Sequence, residues 1–114
     1  MLTKTEIYCA NAGDCRAVLS KKGKSKNLSE DHKPDNPGEK QRIERANGYV
    51  LEKRVNGNLA LSRSLGDFEY KNNPILKPKD QMVTAYPDIT VEKIQSDCEF
   101  IIIACDGIWD CMSS

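Results

Sequence analysis

The stretch IIIACDGIWD, residues 101–110, is the most informative part of this chain. Phe100 to Cys105 is apolar at every position, whereas a strand exposed on one face would alternate apolar and polar residues. The run therefore predicts a β-strand that is covered on both faces. Asp106 follows directly, and an ionised carboxylate in such a place is unfavourable unless it is paired, hydrogen-bonded or bound to a metal.

The residues after this strand predict a short helix that presents two carboxylates on one side. Gly107 permits a sharp turn, and a helix can then begin with Asp106 as its N-cap and Asp110 one turn later. The local pattern leaves two interpretations of Asp106 open. One is a helix N-cap with no further function. The other is a site for a hard cation such as Mg²⁺ or Mn²⁺, which prefers carboxylate oxygens.

Composition and charge argue against several classes of protein. The chain has 114 residues, of which 39% are hydrophobic and 30% charged, which suits one small soluble domain. Lys and Arg together number 17, as do Asp and Glu, so no overall field attracts nucleic acid or an anionic membrane, and we expect neither as a partner. No apolar run approaches the ~20 residues that a membrane span needs.

The cysteine pattern predicts free thiols. Five cysteines is an odd number, and no two of them form a CxxC pair. Cys9 and Cys105 fall inside apolar, strand-like runs, where cysteine behaves as a small hydrophobe. Because no signal-peptide pattern is present either, we expect a reducing location, the cytoplasm or the nucleus.

The rest of the chain predicts an α+β fold with mostly antiparallel strands. Residues 6–11 and 15–20 are short β-like runs that flank Ala12-Gly13-Asp14, which predicts a β-hairpin. Further short strands are predicted at residues 25–29, 49–53, 82–85 and 89–94, and residues 70–80 are predicted to be loop.

One helix has clear boundaries. Asn36-Pro37-Gly38-Glu39 predicts its start, with Asn36 as the N-cap and Glu39 completing a capping box. Asn47-Gly48 predicts its end, because asparagine and glycine accept a left-handed conformation. The apolar face consists only of Ile43 and Ala46, so we expect the helix to lie on the surface.

Six motifs in a fixed order carry a family resemblance. They are NAGDCR (11–16), EDHKP (30–34), RI (42–43), VNGNLALSRSLGD (55–67), YPDI (86–89) and ACDGIWD (104–110). Each motif alone is weak, but together they closely resemble the metal-dependent type 2C serine/threonine protein phosphatases, the PPM family, from about residue 6 to 112. On this resemblance the chain is a central or C-terminal fragment of the catalytic domain.

The resemblance implies a fold and a chemistry. The fold is a β-sandwich of two mostly antiparallel sheets flanked by helices, with two Mg²⁺ or Mn²⁺ ions at one end. The chemistry is attack by a metal-bound water on phosphoserine or phosphothreonine in a phosphoprotein substrate. By match to the family's motifs, Asp106 is implied as a ligand of the core metal centre, and Asp110 and Asp14 as ligands of an additional, weaker site.

The resemblance also bears on residues near these ligands. Arg63 and Asp67, in the Ser-Arg-x-x-Gly-Asp stretch, are implied to be structural or near the site, and Gly107 near the site. His32 is implied to be structural. Asn47 stands where the family often has glycine, and it too accepts a positive φ.

Several of the family's motifs do not occur in the chain. They are an acidic ligand segment, a phosphate-binding arginine, an Asp-Gly-His-Gly motif and a C-terminal Asp-Asn motif. Of the core metal ligands only Asp106 remains, so we expect residues 1–114 to be a partial catalytic domain that is nearly inactive alone. The alternative is a non-catalytic, phosphatase-like binding or regulatory module. Half a sandwich also leaves sheet edges uncovered, through which we expect copies of the chain to associate.

Overall fold

The computed structural model describes all residues from Met1 to Ser114, and the chain divides into two units. The first unit consists of Met1–Asn11, Cys15–Asp31 and Asp88–Ser114, and the second of Ala12–Asp14 and His32–Pro87. All paired strands are antiparallel and helices are few, which agrees with the predicted α+β class.

The regular elements are short. The strands are β1 (Glu6–Asn11), β2 (Arg16–Lys21), β3 (Lys24–Asn27), β4 (Val50–Leu51), β5 (Arg54–Val55), β6 (Asp88–Lys93) and β7 (Cys98–Ala104). The helices are α1 (Pro37–Arg45) and α2 (Asp106–Trp109), with single 3₁₀ turns at Phe68–Tyr70 and Pro78–Asp80. No helix is both long enough and apolar enough to cross a membrane.

Two sheets pack against each other in the first unit. One sheet pairs β1 with β6, and the other has the order β3-β2-β7. Ile7 of β1 lies in one buried cluster with Ala17 and Leu19 of β2 and with Leu28, and Ile101 of β7 packs against that cluster. This arrangement is the packing of a β-sandwich, in which Ala17 and Leu19 are alternate residues of β2 that face the other sheet.

The predicted hairpin between β1 and β2 is wrong. The two strands have the predicted positions, but β1 pairs with β6 in the register Glu6↔Lys93, and β2 pairs with β3 and β7. The connecting residues, Ala12–Asp14, belong to the second unit rather than forming a tight turn. Short β-like runs near a glycine do not by themselves specify a partner, because strand pairing depends on which apolar faces meet in the core.

The predicted coverage of the C-terminal strand is also wrong. In β7, Ile101 is half-buried opposite Leu19, but Phe100, Ile102 and Ile103 are 58%, 47% and 76% exposed. Phe100 and Ile102 lie on the face opposite to Ile101, which the second sheet does not cover, whereas Ile103 shares the face of Ile101 and is exposed near the end of this edge strand. The predicted association of copies through uncovered edges is not tested by this geometry and stays a prediction.

The second unit is built around α1, whose boundaries agree with the prediction. Asn36 is the N-cap with Pro37 at the first helical position, and Asn47 follows the helix with φ +64°. The capping box does not form, because the Asn36 side chain makes no capping bond and Glu39 is buried and bonded elsewhere.

The helix α1 packs into a buried core, which its small apolar face did not predict. Ile43 is fully buried and forms a second core with Val55 and Val83. One isoleucine is sufficient, since Val55 of β5 and Val83 complete the core around it.

The remaining strand predictions met with mixed outcomes. The predicted strands at 25–29 and 89–94 are confirmed as β3 and β6, with slightly different ends. Residues 49–53 contain only Val50–Leu51, which pairs with Arg54–Val55. Residues 82–85 form no strand, apart from a single parallel bridge between Arg63 and Thr84.

Candidate metal-binding residues

Asp106 and Asp110 lie one helical turn apart at the end of β7. The N-cap of α2 is Cys105, so the prediction of Asp106 as N-cap is wrong by one residue. The Cys105 side chain makes no capping bond. The Asp110 N–H donates to the Asp106 carbonyl at 2.8 Å, which closes the turn, and both residues are exposed. Gly107 lies inside the helix rather than in a sharp turn before it.

The side chain of Trp109 connects α2 to β7 through a hydrogen bond. Its indole Nε1–H donates to the carbonyl of Ala104 at 2.7 Å. Because Ala104 is the last residue of β7, the bond fixes the direction in which the chain leaves the strand. The first unit thus presents the carboxylates of Asp106 and Asp110 on a short helix held against its own strand.

Asp14 lies in the second unit, on a loop held by His32. The Gly13 N–H donates to His32 Nδ1 at 3.2 Å, and the His32 N–H donates to the Gly13 carbonyl at 2.9 Å. His32 is 4% exposed, which agrees with the structural role implied for it. The Asp14 carboxylate accepts a bond from Lys33 Nζ at 2.8 Å. This carboxylate is therefore already neutralised by a cation that belongs to the chain.

Arg63 and Asp67 have structural contacts within the second unit. Arg63 Nη2 donates to Glu39 Oε1 at 2.7 Å, and Arg63 Nη1 donates to the Tyr86 carbonyl at 3.0 Å. Asp67, at φ +49°, accepts a bond from the hydroxyl of Ser64. Arg63 thus connects α1 with the loop before β6, while Asp67 stabilises its own turn.

Glu39 is the centre of the most buried charged group in the chain. Its side chain is 8% exposed, and it accepts bonds from Arg63, Ser62 and Arg42. Burial alone would raise the pKa of this carboxyl, but the three donors outweigh burial and lower the pKa to about 2. Glu39 therefore remains ionised near neutral pH, with two arginines as partners.

These residues fit a divalent cation only in part. Carboxylates such as those of Asp106 and Asp110 are suitable ligands for Mg²⁺ or Mn²⁺. However, the structure contains no group of three or more His, Cys, Asp or Glu side chains placed to hold a metal ion together. The chain therefore offers part of a donor set.

Sequence reasoning missed two residues that matter here. Lys33 carries no local signal as the partner of Asp14, because the two residues are far apart along the chain. Glu39 was assigned to a capping box, since its spacing from Asn36 fits that motif. The only available hint was its position one turn before Arg42, where an ion pair is expected.

Comparison with known proteins identifies the family. The family model described as "Protein phosphatase 2C" matches residues 1–114. This chain belongs to the protein phosphatase 2C family. A protein named "Protein phosphatase 2C homolog 2" from Aspergillus fumigatus is 60% identical over 100% of this chain and 27% of its own length. "Probable protein phosphatase 2C 58" from Oryza sativa is 49% identical over 100% of this chain and 31% of its own length.

Solved structures confirm the protein phosphatase 2C fold. A phosphatase from Toxoplasma gondii superposes with a TM-score of 0.86 at 42% identity, over 92% of this chain and 33% of that chain. A sex-determining protein of Caenorhabditis elegans superposes with a TM-score of 0.83 at 28% identity, over 95% of this chain and 25% of that chain. The 114 residues thus span about a quarter to a third of these relatives.

Proposed function

We propose that the chain forms part of the catalytic domain of a phosphatase that hydrolyses phosphoserine and phosphothreonine in proteins with the help of Mg²⁺ or Mn²⁺. The observation that carries the proposal is the position of Asp106, an exposed carboxylate two residues after the end of β7, within the stretch that resembles the family's metal-binding motif. A bound divalent cation lowers the pKa of its water toward neutrality and offsets the charge of the phosphate.

In this proposal the acidic residues have different roles. Asp106 is a ligand of the core metal centre, and Asp110, one turn later, is a ligand of an additional site. Asp14, in the second unit, is a further metal ligand only when its carboxylate exchanges Lys33 for the metal, since the two side chains are now 2.8 Å apart. Gly107 adjoins Asp106 in sequence and lies near the proposed metal centre, whereas Arg63 and Asp67 have structural roles within the second unit.

The chain alone is proposed to be nearly inactive. A centre with two ions needs more carboxylates than the pair that α2 brings together, so the other ligands come from outside these 114 residues. A non-catalytic, phosphatase-like module is the alternative, and the same experiment tests it.

The test is a chimera with the Aspergillus fumigatus relative, which aligns with this chain over all 114 residues. The matching segment of that protein is replaced by this chain, and phosphate release from a phosphothreonine peptide is measured with saturating Mn²⁺. We expect a chimera whose activity is lost in Asp106→Ala and kept in Glu44→Ala. Glu44 is a suitable control because it is an exposed carboxylate on α1.

The isolated chain is assayed beside the chimera. Turnover near background by the chain, together with an active chimera, supports the proposal. A chimera that folds but does not hydrolyse the peptide contradicts it and favours the non-catalytic module. If the chimera keeps its activity in Asp106→Ala, Asp106 is not a ligand of the metal centre.

A further inference from the structure

Arg16 is held by several groups of the first unit at once. Its Nε and Nη2 donate to the two carboxylate oxygens of Asp31, each at 2.9 Å, and its Nη1 donates to the Ser114 hydroxyl at 3.0 Å. The guanidinium carbon lies 5.3 Å from the centre of the Trp109 ring. The two-pronged bond to Asp31 fixes the plane of the guanidinium, and this plane then supports the indole.

Trp109 is the residue through which Arg16 can act on Asp106 and Asp110. The helix that carries Asp106, α2, is four residues long and is too short to be stable by itself. Its other large apolar side chain, Ile108, is 46% exposed. The orientation of the helix therefore depends mainly on Trp109, whose N–H is bonded to Ala104 and whose ring contacts Arg16.

We propose that Arg16 is a positioning residue, which sets the direction of the Asp106 and Asp110 carboxylates by holding Trp109. Without the guanidinium, the indole keeps one bond to β7 but loses the contact on its face, and the helix gains freedom to rotate. The consequence for cation binding rests on the proposed function above, whereas the consequence for the helix does not.

The first measurement uses Trp109 as a built-in probe, because the chain has one tryptophan. Quenching of its fluorescence by acrylamide is compared in the 114-residue chain and in Arg16→Met, Arg16→Lys and Arg45→Met. Lysine keeps the charge beside Asp31 but loses the planar, two-pronged contact. Arg45 is an exposed arginine in the last turn of α1 and serves as the matched control.

We expect the quenching constant to rise about twofold in Arg16→Met, to rise less in Arg16→Lys, and to stay unchanged in Arg45→Met. Far-ultraviolet circular dichroism confirms that each variant is folded. If Arg16→Met does not fold, Arg16→Lys decides the question. An unchanged quenching constant in a folded Arg16 variant overturns the positioning role.

The second measurement uses Mn²⁺, which is paramagnetic and quenches a nearby indole, with Mg²⁺ as the diamagnetic control. We expect the Mn²⁺ concentration at half-maximal quenching to rise about three- to tenfold in Arg16→Met, in line with the strength of a cation–π contact. An unchanged concentration would overturn the link between Arg16 and cation binding. Absence of Mn²⁺ quenching in the unsubstituted chain would mean that this partial donor set does not bind the cation by itself, while the acrylamide result would still decide the positioning role.

Discussion

The carboxylate of Asp14 lies 2.8 Å from the ammonium group of Lys33, so a residue implied as a metal ligand has an internal cation as its partner. Both side chains are partly shielded, at 15% and 34% exposed. Lys33 is itself next to His32, which holds the Gly13–Asp14 loop. The segment His32-Lys33 therefore positions the Gly13–Asp14 loop and neutralises the charge of the Asp14 carboxylate.

Replacing Lys33 is expected to strengthen cation binding at Asp14. In Lys33→Met the carboxylate no longer has its internal partner, and a partly exposed ion pair is worth about 0.2–1 kcal/mol. We expect Mn²⁺ to broaden the amide signals of Gly13 and Asp14 at a concentration about two- to fivefold lower than in the unsubstituted chain. The measurement is an NMR titration.

Lys53→Met is the matched control for that titration. Lys53 is 81% exposed and lies 3.7 Å from Asp35, so its removal takes away an equal charge without touching Asp14. An equal decrease in the required Mn²⁺ concentration in both variants would mean that net charge, and not the partner of Asp14, governs the binding of Mn²⁺.

The buried Glu39 predicts a specific dependence of stability on pH. Its pKa is about 2 in the folded chain against an ordinary value of 4.5, so between these values the unfolded chain binds more protons. The free energy of unfolding contributed by Glu39 is therefore present above pH 4.5 and is lost as the pH falls toward 2. Urea titrations across this range measure the effect.

In Glu39→Gln this part of the pH dependence is expected to disappear. At neutral pH the variant is also less stable, by about 3–5 kcal/mol, because two shielded guanidinium groups lose their charged partner. Glu44→Gln on the same helix removes an exposed carboxylate and is expected to change stability by less than about 0.5 kcal/mol. A pH profile of Glu39→Gln identical to that of the original chain would contradict the assigned pKa.

The second core is expected to depend strongly on Ile43. Its side chain is 0% exposed and packs with Val55 and Val83, so Ile43→Ala leaves a cavity. We expect a loss of about 2–5 kcal/mol in the free energy of unfolding, measured by urea denaturation. Ile75→Ala removes the same atoms from a side chain that is 90% exposed, and it is expected to stay within about 0.5 kcal/mol of the original chain. Similar losses in the two variants would show that the core has been wrongly located.

Replacing the two glycines at opposite ends of α1 with alanine is expected to change the stability of the chain in opposite directions. A Cβ on Gly38 meets nothing within 4 Å, whereas one on Gly48 would lie 2.8 Å from the Met82 sulfur and 3.0 Å from Ile43 Cγ2. Gly38→Ala should raise stability by about 0.4–1 kcal/mol, because alanine restricts the unfolded chain. Gly48→Ala should lower it by about 1–3 kcal/mol through overpacking. Thermal midpoints of the two variants, measured side by side, test the contrast, and a shift of the same sign in both would refute it.

Local patterns located several elements well. The start of α1 at Pro37 and its end near Asn47 follow from residues whose backbone preferences act over a few positions. The positions of β1, β2 and β7 were also evident from short apolar or alternating runs. Asp106 was visible as a carboxylate after a strand, and the order of the motifs around it led to the protein phosphatase 2C family that the comparisons confirm.

Contacts between residues that are far apart in the sequence could not be predicted from local patterns. The pairing of β1 with β6 joins Glu6 to Lys93, and only the packing of the two sheets selects that register. Glu39 looked like a capping residue because the local motif is satisfied, yet two partly buried arginines bind it more strongly than a helix end does. Asp14 looked available for a metal, and its neutralisation by Lys33 depends on how His32 folds the second unit around that loop. Backbone preferences act between neighbouring residues, so short sequence motifs reveal them. Strand pairing, side-chain burial and the neutralisation of charges depend instead on which distant residues the folded chain brings together.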